Sequence, residues 1–258
     1  MGSDQDSDDK ATDLAWEEWG RRDPYFSVMT NPRFRRAAMD ADEGAKQEFF
    51  AISEAHVQDR LAMIRHHINP AFAPKRILDF GCGVGRLLPP FSAAAEQVVG
   101  VDVSPAMLQE ARRNCDEFQL KNVLLVQSDD ELSALPGEFD LIHSFIVFQH
   151  IPVTRGRTIL SNLLRRLQPG GVIAIHLTYS KARFASTHGV APPPPPVSER
   201  TLKPGADPEM QMNPYHMNEV LFLLQSTGIS QCHLEFTDHS GELGMFLYGA
   251  APGAAAGH

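Results

Sequence analysis

The stretch RILDFGCGVGRLLPPFSAAAEQVVGVDVS, residues 76–104, decides how this chain is expected to fold. It opens with a short apolar run, residues 77–80, and a glycine cluster follows, which is typical of a buried strand that ends in a tight loop. Glycine allows backbone conformations closed to other residues and lets a ligand approach the main chain. A helix is predicted next, over residues 84–95, with its free amide groups directed at the loop. The loop glycines are Gly81, Gly83 and Gly85.

A second apolar run, residues 98–101, ends in Asp102. An acid at the tip of the second strand, about twenty residues past a glycine loop, suits a ribose diol. The loop lacks the G-x-G-x-x-G spacing of a dinucleotide site, because Arg86 occupies the sixth position. Asp79, two residues before the first glycine, would repel a pyrophosphate and attract an ammonium group. The expected ligand therefore carries adenosine at one end and a cation at the other, as S-adenosylmethionine does.

This combination resembles the first motif of the class I S-adenosylmethionine-dependent methyltransferases, in which an acid precedes Gly-x-Gly-x-Gly. The resemblance covers residues 75–250 and implies S-adenosylmethionine as the cofactor. It also implies an α/β fold: a seven-stranded, mostly parallel sheet with helices on both faces, an antiparallel last strand and an N-terminal helical cap. The implied activity is methyl transfer to O, N or S of a small-molecule acceptor by in-line displacement.

Apolar runs alternate with helical patterns after residue 75, which independently favours a parallel sheet covered by helices. A proline-glycine-glycine sequence at 169–171 predicts a turn before the fifth strand. The predicted strands are 76–80, 97–101, 122–127, 139–145, 171–179, 230–236 and 243–250. The predicted helices are 13–22, 40–68, 84–95, 105–119, 154–167 and 215–227, with a short one at 130–134.

The chain is expected to divide into a cap and a larger catalytic domain. Residues 1–12 are too polar to bury a core and are predicted to be disordered, as is the tail 251–258. Residues 13–70 form the helical cap or lid. Residues 71–250 form the methyltransferase domain, with a proline-rich insert at 181–213 that includes Pro192–Pro196.

Composition restricts the possible partners. There are 23 basic and 32 acidic residues, a net charge of −9, which argues against a broad nucleic-acid footprint. No apolar run approaches the length of a membrane span, and the acidic start MGSDQDSDDK is unlike a signal peptide. Three cysteines without metal-ligand spacing predict no metal site. We expect a cytoplasmic protein with a small-molecule substrate; the sequence does not determine its oligomeric state.

The resemblance places the cofactor on the glycine loop and the strand ends that follow it. Adenine would meet Asp129 or its neighbour Asp130, although Asp129 could instead cap a helix. Met107 would pack against adenine or in the helix core, and Arg86 would hold the cofactor carboxylate or pair with an acid. The full set is Asp79, Gly81, Cys82, Gly83, Gly85, Arg86, Asp102, Val103, Met107, Asp129, Asp130, Ser144 and Phe145.

The fourth strand and its loop, FDLIHSFIVFQHIP, are expected to face the acceptor. His150 is the candidate general base, because imidazole titrates near neutral pH and ligands bind outside the carboxyl ends of parallel strands. The alternative is that His150 only shapes the loop. Gln149 would face the substrate beside it, whereas His143, inside the strand, is expected to be a buried core histidine.

An aromatic and arginine-rich segment before the first strand is the candidate lid. In relatives of this class this region folds over the cofactor, so it would exclude water and hold the substrate. The alternative is a hydrophobic clasp on the outside of the sheet. The candidate lid residues are Trp19, Tyr25, Phe26 and Arg33.

Other functions remain open at this stage. An NAD-dependent oxidoreductase would use a similar sheet but needs the third glycine elsewhere. An aminopropyl transferase would use nearly the same cofactor site. A catalytically silent S-adenosylmethionine-binding scaffold is the alternative that is not an enzyme.

Overall fold

The computed structural model describes residues 3–191 and 206–253. These residues contain one seven-stranded sheet. The strands are β1 Arg76–Phe80, β2 Gln97–Asp102, β3 Val123–Gln127, β4 Phe139–Ser144, β5 Leu167–Lys181, β6 Cys232–His239 and β7 Glu242–Ala250. Their order across the sheet is β3-β2-β1-β4-β5-β7-β6. Strands β1 to β5 pair in parallel, and β7 runs antiparallel to both β5 and β6. The predicted fold class is confirmed.

Helices cover both faces of this sheet and form the N-terminal cap. They are α1 Ser3–Arg22, α2 Pro24–Val28, α3 Arg36–Ala41, α4 Glu43–His67, α5 Leu88–Ala94, α6 Pro105–Glu117, α7 Val153–Leu164 and α8 Met217–Ser226. Short 3-10 helices occupy Pro32–Phe34, Phe148–His150 and Ala182–Thr187. Among the described residues, no helix combines the length and apolar character needed to cross a membrane.

The N-terminal elements differ from those predicted. Helix α1 begins at Ser3, inside the segment expected to be disordered. Once a helix has formed, ordering one more residue at its end adds one hydrogen bond, so extending an anchored helix is easier than starting one. The single helix predicted over 40–68 is divided into α3 and α4. Asp42 breaks it, since this residue has an extended backbone and its side chain caps the amide of Gly44.

Two elements beside the sheet also differ. Helix α5 begins at Leu88, four residues later than predicted, because Gly85 has φ +78°, which no α-helix accommodates. Strand β5 begins at Leu167 and passes through the predicted turn at 169–171. Gly170, with φ +77°, lies where the pairing with β4 shifts register, so the turn residues form an irregularity within the strand.

Apolar side chains fill both sides of the sheet and the cap. Helices α7 and α8 pack on one face, α4 and α5 on the other, with clusters built around residues such as Ile142 and Phe91. A third cluster joins the cap to the glycine loop and α6; its buried members are Trp19, Tyr25, Phe34, Phe49, Phe50, Val84 and Met107. The cap is therefore continuous with the body of the protein through Val84 and Met107.

A segment that we call the strap, residues 206–215, runs from the cap to the loop after β4. At its start Asp207 pairs with Arg35 of the cap. At its end the buried Tyr215 donates its hydroxyl to the carbonyl of Ile151, 3.2 Å away. Residues 206–213 of the strap are the last part of the predicted insert 181–213; the five prolines of that insert lie outside the described residues.

Tyr215 lies directly against Gly156 of α7, where an added Cβ would overlap the tyrosine hydroxyl. We expect Gly156→Ala to destabilise the protein by about 1–3 kcal/mol, the usual cost of overpacking. Urea unfolding would measure this. Gly253→Ala, which meets nothing within 4 Å, is the control and should change stability little. Adding Tyr215→Phe should recover part of the loss; equal stability of Gly156→Ala and wild type would contradict this account of the packing.

Candidate active site

The glycine loop takes a conformation that depends on its glycines. Gly81, Gly83 and Gly85 have φ angles of +73°, +55° and +78°, in the left-handed region that side chains disfavour. A Cβ at Gly81 would also overlap Val147, so no larger residue fits there. The amides of Gly81 and Cys82 both donate to the carbonyl of Val101 at 2.9 Å. The loop is thereby tied to the end of β2.

Asp102 completes this attachment. One carboxylate oxygen accepts the amide of Gly83 and the other accepts the amide of Ser104, both at 2.9 Å. Burial raises the pKa of Asp102 from 3.8 to about 6, although the two backbone hydrogen bonds oppose the shift. Each carboxylate oxygen has a second lone pair, so both can also accept hydroxyl groups of a ligand.

A cleft lies at the carboxyl ends of β1, β2 and β4, as expected for an open parallel sheet. Ten of the predicted site residues line it: Gly81, Gly83, Arg86, Asp102, Val103, Met107, Asp129, Asp130, Phe145 and His150.

Four predicted cofactor residues lie beneath the cleft: Asp79, Cys82, Gly85 and Ser144. Cys82 packs into the core on the α4 and α5 side, where burial raises the pKa of its thiol. Ser144 is fully buried and donates to the carbonyl of Phe80 at 3.0 Å. These side chains support the floor of the cleft rather than form its surface.

Arg86 is a buried cation on the wall of the cleft. It is 7% exposed, and its Nε has no hydrogen-bond partner among the described residues. Burial lowers its pKa, and the charge of Asp79 opposes that shift. No ion pair between Arg86 and a described acid is formed, so the expectation of a paired acid is not met. A buried guanidinium facing a cleft is suited to bind a ligand carboxylate.

Asp129 and Asp130, the two candidates to bind adenine, have different hydrogen-bond partners. Asp129 accepts the amide of Ser133 at 2.8 Å, which lowers its pKa, and a turn replaces the predicted short helix because Leu132 has φ +55°. Asp130 accepts Nε of Arg155 with both oxygens, at 2.8 and 2.7 Å. Asp130 is thus held by a charged arginine, whereas Asp129 accepts a backbone amide.

Arg155 also joins α1 to α7. Its terminal nitrogens donate to the two oxygens of Asp13 at 2.7 and 2.8 Å. Glu17, one turn further along α1, accepts the hydroxyl of Ser104 at 2.7 Å and the amide of Ala106 at 3.0 Å. Helix α1 therefore lies across the cleft and is fixed at two points.

The predicted lid residues do not line the cleft. Trp19 is 2% exposed within the cap cluster, and Phe26 packs under Arg35. Tyr25 donates to Glu110 at 2.8 Å, and Arg33 pairs with acids of the cap. These four side chains therefore contact other residues of the cap or α6 rather than the cleft. The residues of this region that do line the cleft are Thr12, Asp13, Trp16, Ser27 and Val28.

His150 has a defined tautomer. Its Nδ1 lies 2.7 Å from the carbonyl of Gln211 in the strap, so Nδ1 carries the proton and donates. The other nitrogen, Nε2, is then an acceptor, and it has no hydrogen-bond partner among the described residues. Burial lowers the pKa of His150 to about 4, so the ring is neutral at pH 7. The Trp16 ring packs edge-on against it at 4.9 Å.

Gln149 is placed differently from its prediction. It is 6% exposed and does not line the cleft. Its side-chain oxygen accepts the hydroxyl of Thr178 at 2.8 Å, and its carbonyl accepts the amide of Asn213 in the strap at 2.6 Å. Gln149 therefore holds the loop after β4 against β5 and the strap, while its neighbour His150 reaches the cleft.

Part of the chain is similar to known methyltransferases. Residues 77–171 match the family model described as a methyltransferase domain. The ubiquinone biosynthesis O-methyltransferase of Thiobacillus denitrificans is 31% identical over 117 residues, 41% of this chain and 50% of that protein. The trans-aconitate 2-methyltransferase of Methylobacterium nodulans is 36% identical over 113 residues, 42% and 40% of the two chains. The chain thus spans about half the length of such curated relatives, or less.

Solved structures extend the likeness in fold over nearly the whole chain. The magnesium protoporphyrin IX methyltransferase of Synechocystis, with bound S-adenosylmethionine, has a TM-score of 0.58 at 17% identity, covering 93% of this chain and 97% of that one. The N-methyltransferase NodS of Bradyrhizobium japonicum has a TM-score of 0.57 at 15% identity, covering 93% and 98%. Together these comparisons show that residues 77–171 match a methyltransferase domain and that the chain has the fold of the S-adenosylmethionine-dependent methyltransferases, as its glycine loop predicted.

The raised pKa of Asp102 has a consequence for stability. In the folded state the carboxyl group of Asp102 keeps its proton up to about pH 6, whereas in the unfolded state it loses the proton near pH 3.8. The free energy of unfolding therefore falls by at most about 3 kcal/mol as pH rises from 3.8 to 6. Asp102→Asn does not lose stability in this way, because asparagine does not ionise. It lacks one of the two acceptors for backbone amides, and that loss costs the same stability at every pH. We expect the variant to gain stability relative to wild type between pH 4 and pH 7 in urea unfolding. Asp116→Asn, at an exposed position of α6, is the control, and a pH-invariant difference would refute the raised pKa.

Proposed function

We propose that this protein transfers a methyl group from S-adenosylmethionine to an O, N or S atom of a small molecule. The observation that carries the proposal is the cleft lined by the glycine loop, by Asp102 and by Arg86, whose Nε has no hydrogen-bond partner among the described residues. Asp102 suits a ribose diol, and Arg86 suits an α-carboxylate. The relatives named above, which include O-methyltransferases acting on small molecules, support the same activity.

The residues present fit this cofactor. The glycines leave the loop backbone open to a ligand, and Asp102 offers acceptors to ribose hydroxyls. Met107 and Val103 line the cleft beyond Asp102, with Asp129 as the acceptor for an exocyclic amine. The orphaned Nε of Arg86 has no other assigned partner among the described residues. Bound S-adenosylmethionine supplies an electrophilic methyl carbon on a sulfonium leaving group.

The protein's main contribution is to position the acceptor and exclude water. Helix α1 lies over the cleft, fixed through Asp13 and Glu17, and presents Trp16 to its interior. Phe145, Val28 and Trp16 form an apolar surface that suits an acceptor with a hydrophobic body. We therefore assign residues 13–70 as the cap of the site. Helix α1 covers the cleft, and the contacts of Trp19, Tyr25, Phe26 and Arg33 hold the cap together.

His150 is the proposed general base. Its Nε2 is an acceptor because Nδ1–H donates to Gln211, and the ring is neutral at pH 7. An acceptor hydroxyl or neutral amine placed beside Nε2 would attack the methyl carbon with a lone pair and transfer its proton to Nε2 as the new bond forms. The tryptophan contact and the strap carbonyl keep the ring in one orientation, which is what a base requires.

Cofactor binding is the first test. We expect calorimetry to detect S-adenosylmethionine and S-adenosylhomocysteine but not NAD. Asp102→Ala should weaken both by about 1.5–3 kcal/mol, the range for hydrogen bonds to a charged group. Asp116→Ala, an exposed acid on α6, is the matched control. Unchanged affinity in the Asp102 variant would remove its role with ribose.

Turnover measurements test whether His150 is the general base. In a panel of phenols, carboxylic acids, amines and thiols, product analysis should show methylation rather than aminopropyl transfer. His150→Ala should lower turnover of the accepted compound about 100-fold, the scale of a lost general base, with cofactor affinity unchanged. His216→Ala, at an exposed histidine, should behave as wild type. Normal turnover of the His150 variant, or a loss explained by its melting temperature, would defeat the assignment.

A further inference from the structure

Thr12 places a buried hydroxyl group on the wall of the cleft. The residue lies in α1, lines the cleft and is 5% exposed. Its Oγ1 makes no hydrogen bond with any described residue, although a threonine in a helix can donate to the carbonyl one turn earlier. Because a buried hydroxyl is costly to leave unpaired, a ligand group is the partner that this position lacks.

The geometry of α1 directs Thr12 inward. Residues four apart lie on one face of a helix, so Thr12 and Trp16 share a face, and both line the cleft. Leu14, two residues after Thr12, lies on the opposite face and is 69% exposed. The side chain of Thr12 is therefore on the face of the helix that covers the cleft.

The contacts of the next residue place Thr12 at one end of the cleft. Asp13 accepts both terminal nitrogens of Arg155, and Arg155 donates its Nε to Asp130. Asp130 follows Asp129, which we have assigned to the exocyclic amine of adenine. Hydrogen bonds thus join the turn of α1 that carries Thr12 to the loop after β3, where the base is expected.

This end of the cleft has many acceptors and few available donors. The three aspartates just named supply carboxylate oxygens. Among the described residues that line it, Ser128 donates its hydroxyl to the carbonyl of Asp129 at 3.0 Å, and Arg155 donates to the other two aspartates. The hydroxyl of Thr12 is the side-chain donor of this group that has no assigned hydrogen bond.

Adenine needs partners of both kinds. Its exocyclic amine donates, and N1 and N7, the ring nitrogens on either side of the amine, accept. A carboxylate can serve the amine, but it cannot donate to a ring nitrogen. The hydroxyl of Thr12 can, so Thr12 and Asp129 together match the donor and acceptor pattern of this edge of the base.

We propose that Thr12 donates its hydroxyl to N1 or N7 of the adenine of the cofactor, so that the cap helix takes part in recognising the base. This inference rests on the proposed function. Thr12 is a specificity-determining residue, because its hydroxyl pairs with an acceptor of the base. Cofactor binding also gives α1 a third attachment, beside those made by Asp13 and Glu17.

Calorimetry with S-adenosylhomocysteine tests the hydrogen bond. Thr12→Val replaces the hydroxyl with a methyl group of similar size, and we expect affinity to fall about fivefold, the effect of one neutral hydrogen bond. Thr12→Ser keeps the hydroxyl and should restore most of the affinity. Thr158→Val, the same change at an exposed threonine of α7, is the matched control and should bind as wild type does.

The melting temperature of the ligand-free protein should change in the opposite sense. Valine removes a buried hydroxyl that has no partner among the described residues, so Thr12→Val should raise Tm by about 2–4 °C. A threonine that only supports the fold would instead lower both Tm and affinity when replaced. A lowered Tm of the Thr12→Val variant would therefore overturn the proposal.

Ligands altered at a single atom identify the acceptor. The 1-deaza and 7-deaza forms of S-adenosylhomocysteine each replace one ring nitrogen with C–H. Thr12→Val and wild type should bind equally the analogue that lacks the partner of Thr12, whereas the other analogue should show the full difference. If Thr12→Val weakens S-adenosylhomocysteine and both analogues alike, the hydroxyl contacts neither nitrogen, and the proposal is wrong.

The outcomes separate this inference from the proposed function. If wild type does not bind S-adenosylhomocysteine, both are wrong. If wild type binds it and Thr12→Val binds it as tightly, Thr12 does not recognise the base, and the proposed function stands. A Thr12→Val variant that changes only the KM of the acceptor would likewise overturn this inference alone, by placing the hydroxyl beside the acceptor.

Discussion

The carboxylate of Asp102 holds the site together. Its two oxygens accept the amides of Gly83 and Ser104, so one side chain joins the glycine loop, the tip of β2 and the start of α6. In the proposed function the same oxygens also accept the hydroxyl groups of a ribose diol. The cost of this arrangement is a carboxylate that burial makes harder to ionise. The same atoms would then both attach the loop and bind the ligand.

Much of this site could be predicted because its determinants are local in the chain. The alternation of glycines after an apolar strand, and the acid at the end of the next one, depend on the backbone positions of neighbouring residues. The position of His150 at the cleft was predictable for a similar reason, since it follows β4 closely and parallel strands place such loops on one edge. The fold class followed from the same alternation.

Other features depend on contacts between distant parts of the chain. Nothing near Gln149 indicates that the strap will bury it, and Asp79 and His143, whose side chains hydrogen-bond at 2.8 Å, are 64 residues apart. In α1, Trp16 and Trp19 lie one turn apart, and only their three-dimensional surroundings decide which one packs in the cap and which reaches the cleft. A helical pattern around two tryptophans indicates two faces but not their partners.

The attachment of α1 has a consequence for the order in which the molecule is assembled. Glu17 contacts Ser104, 87 residues later, and Asp13 contacts Arg155, 142 residues later. During synthesis from the N-terminus, this first helix has no docking surface until α6 and α7 have emerged and the sheet has formed beneath them. The helix that covers the cleft is thus made before the surface on which it docks, and closing so long a loop carries an entropic cost that the contacts with the finished sheet and its helices must offset.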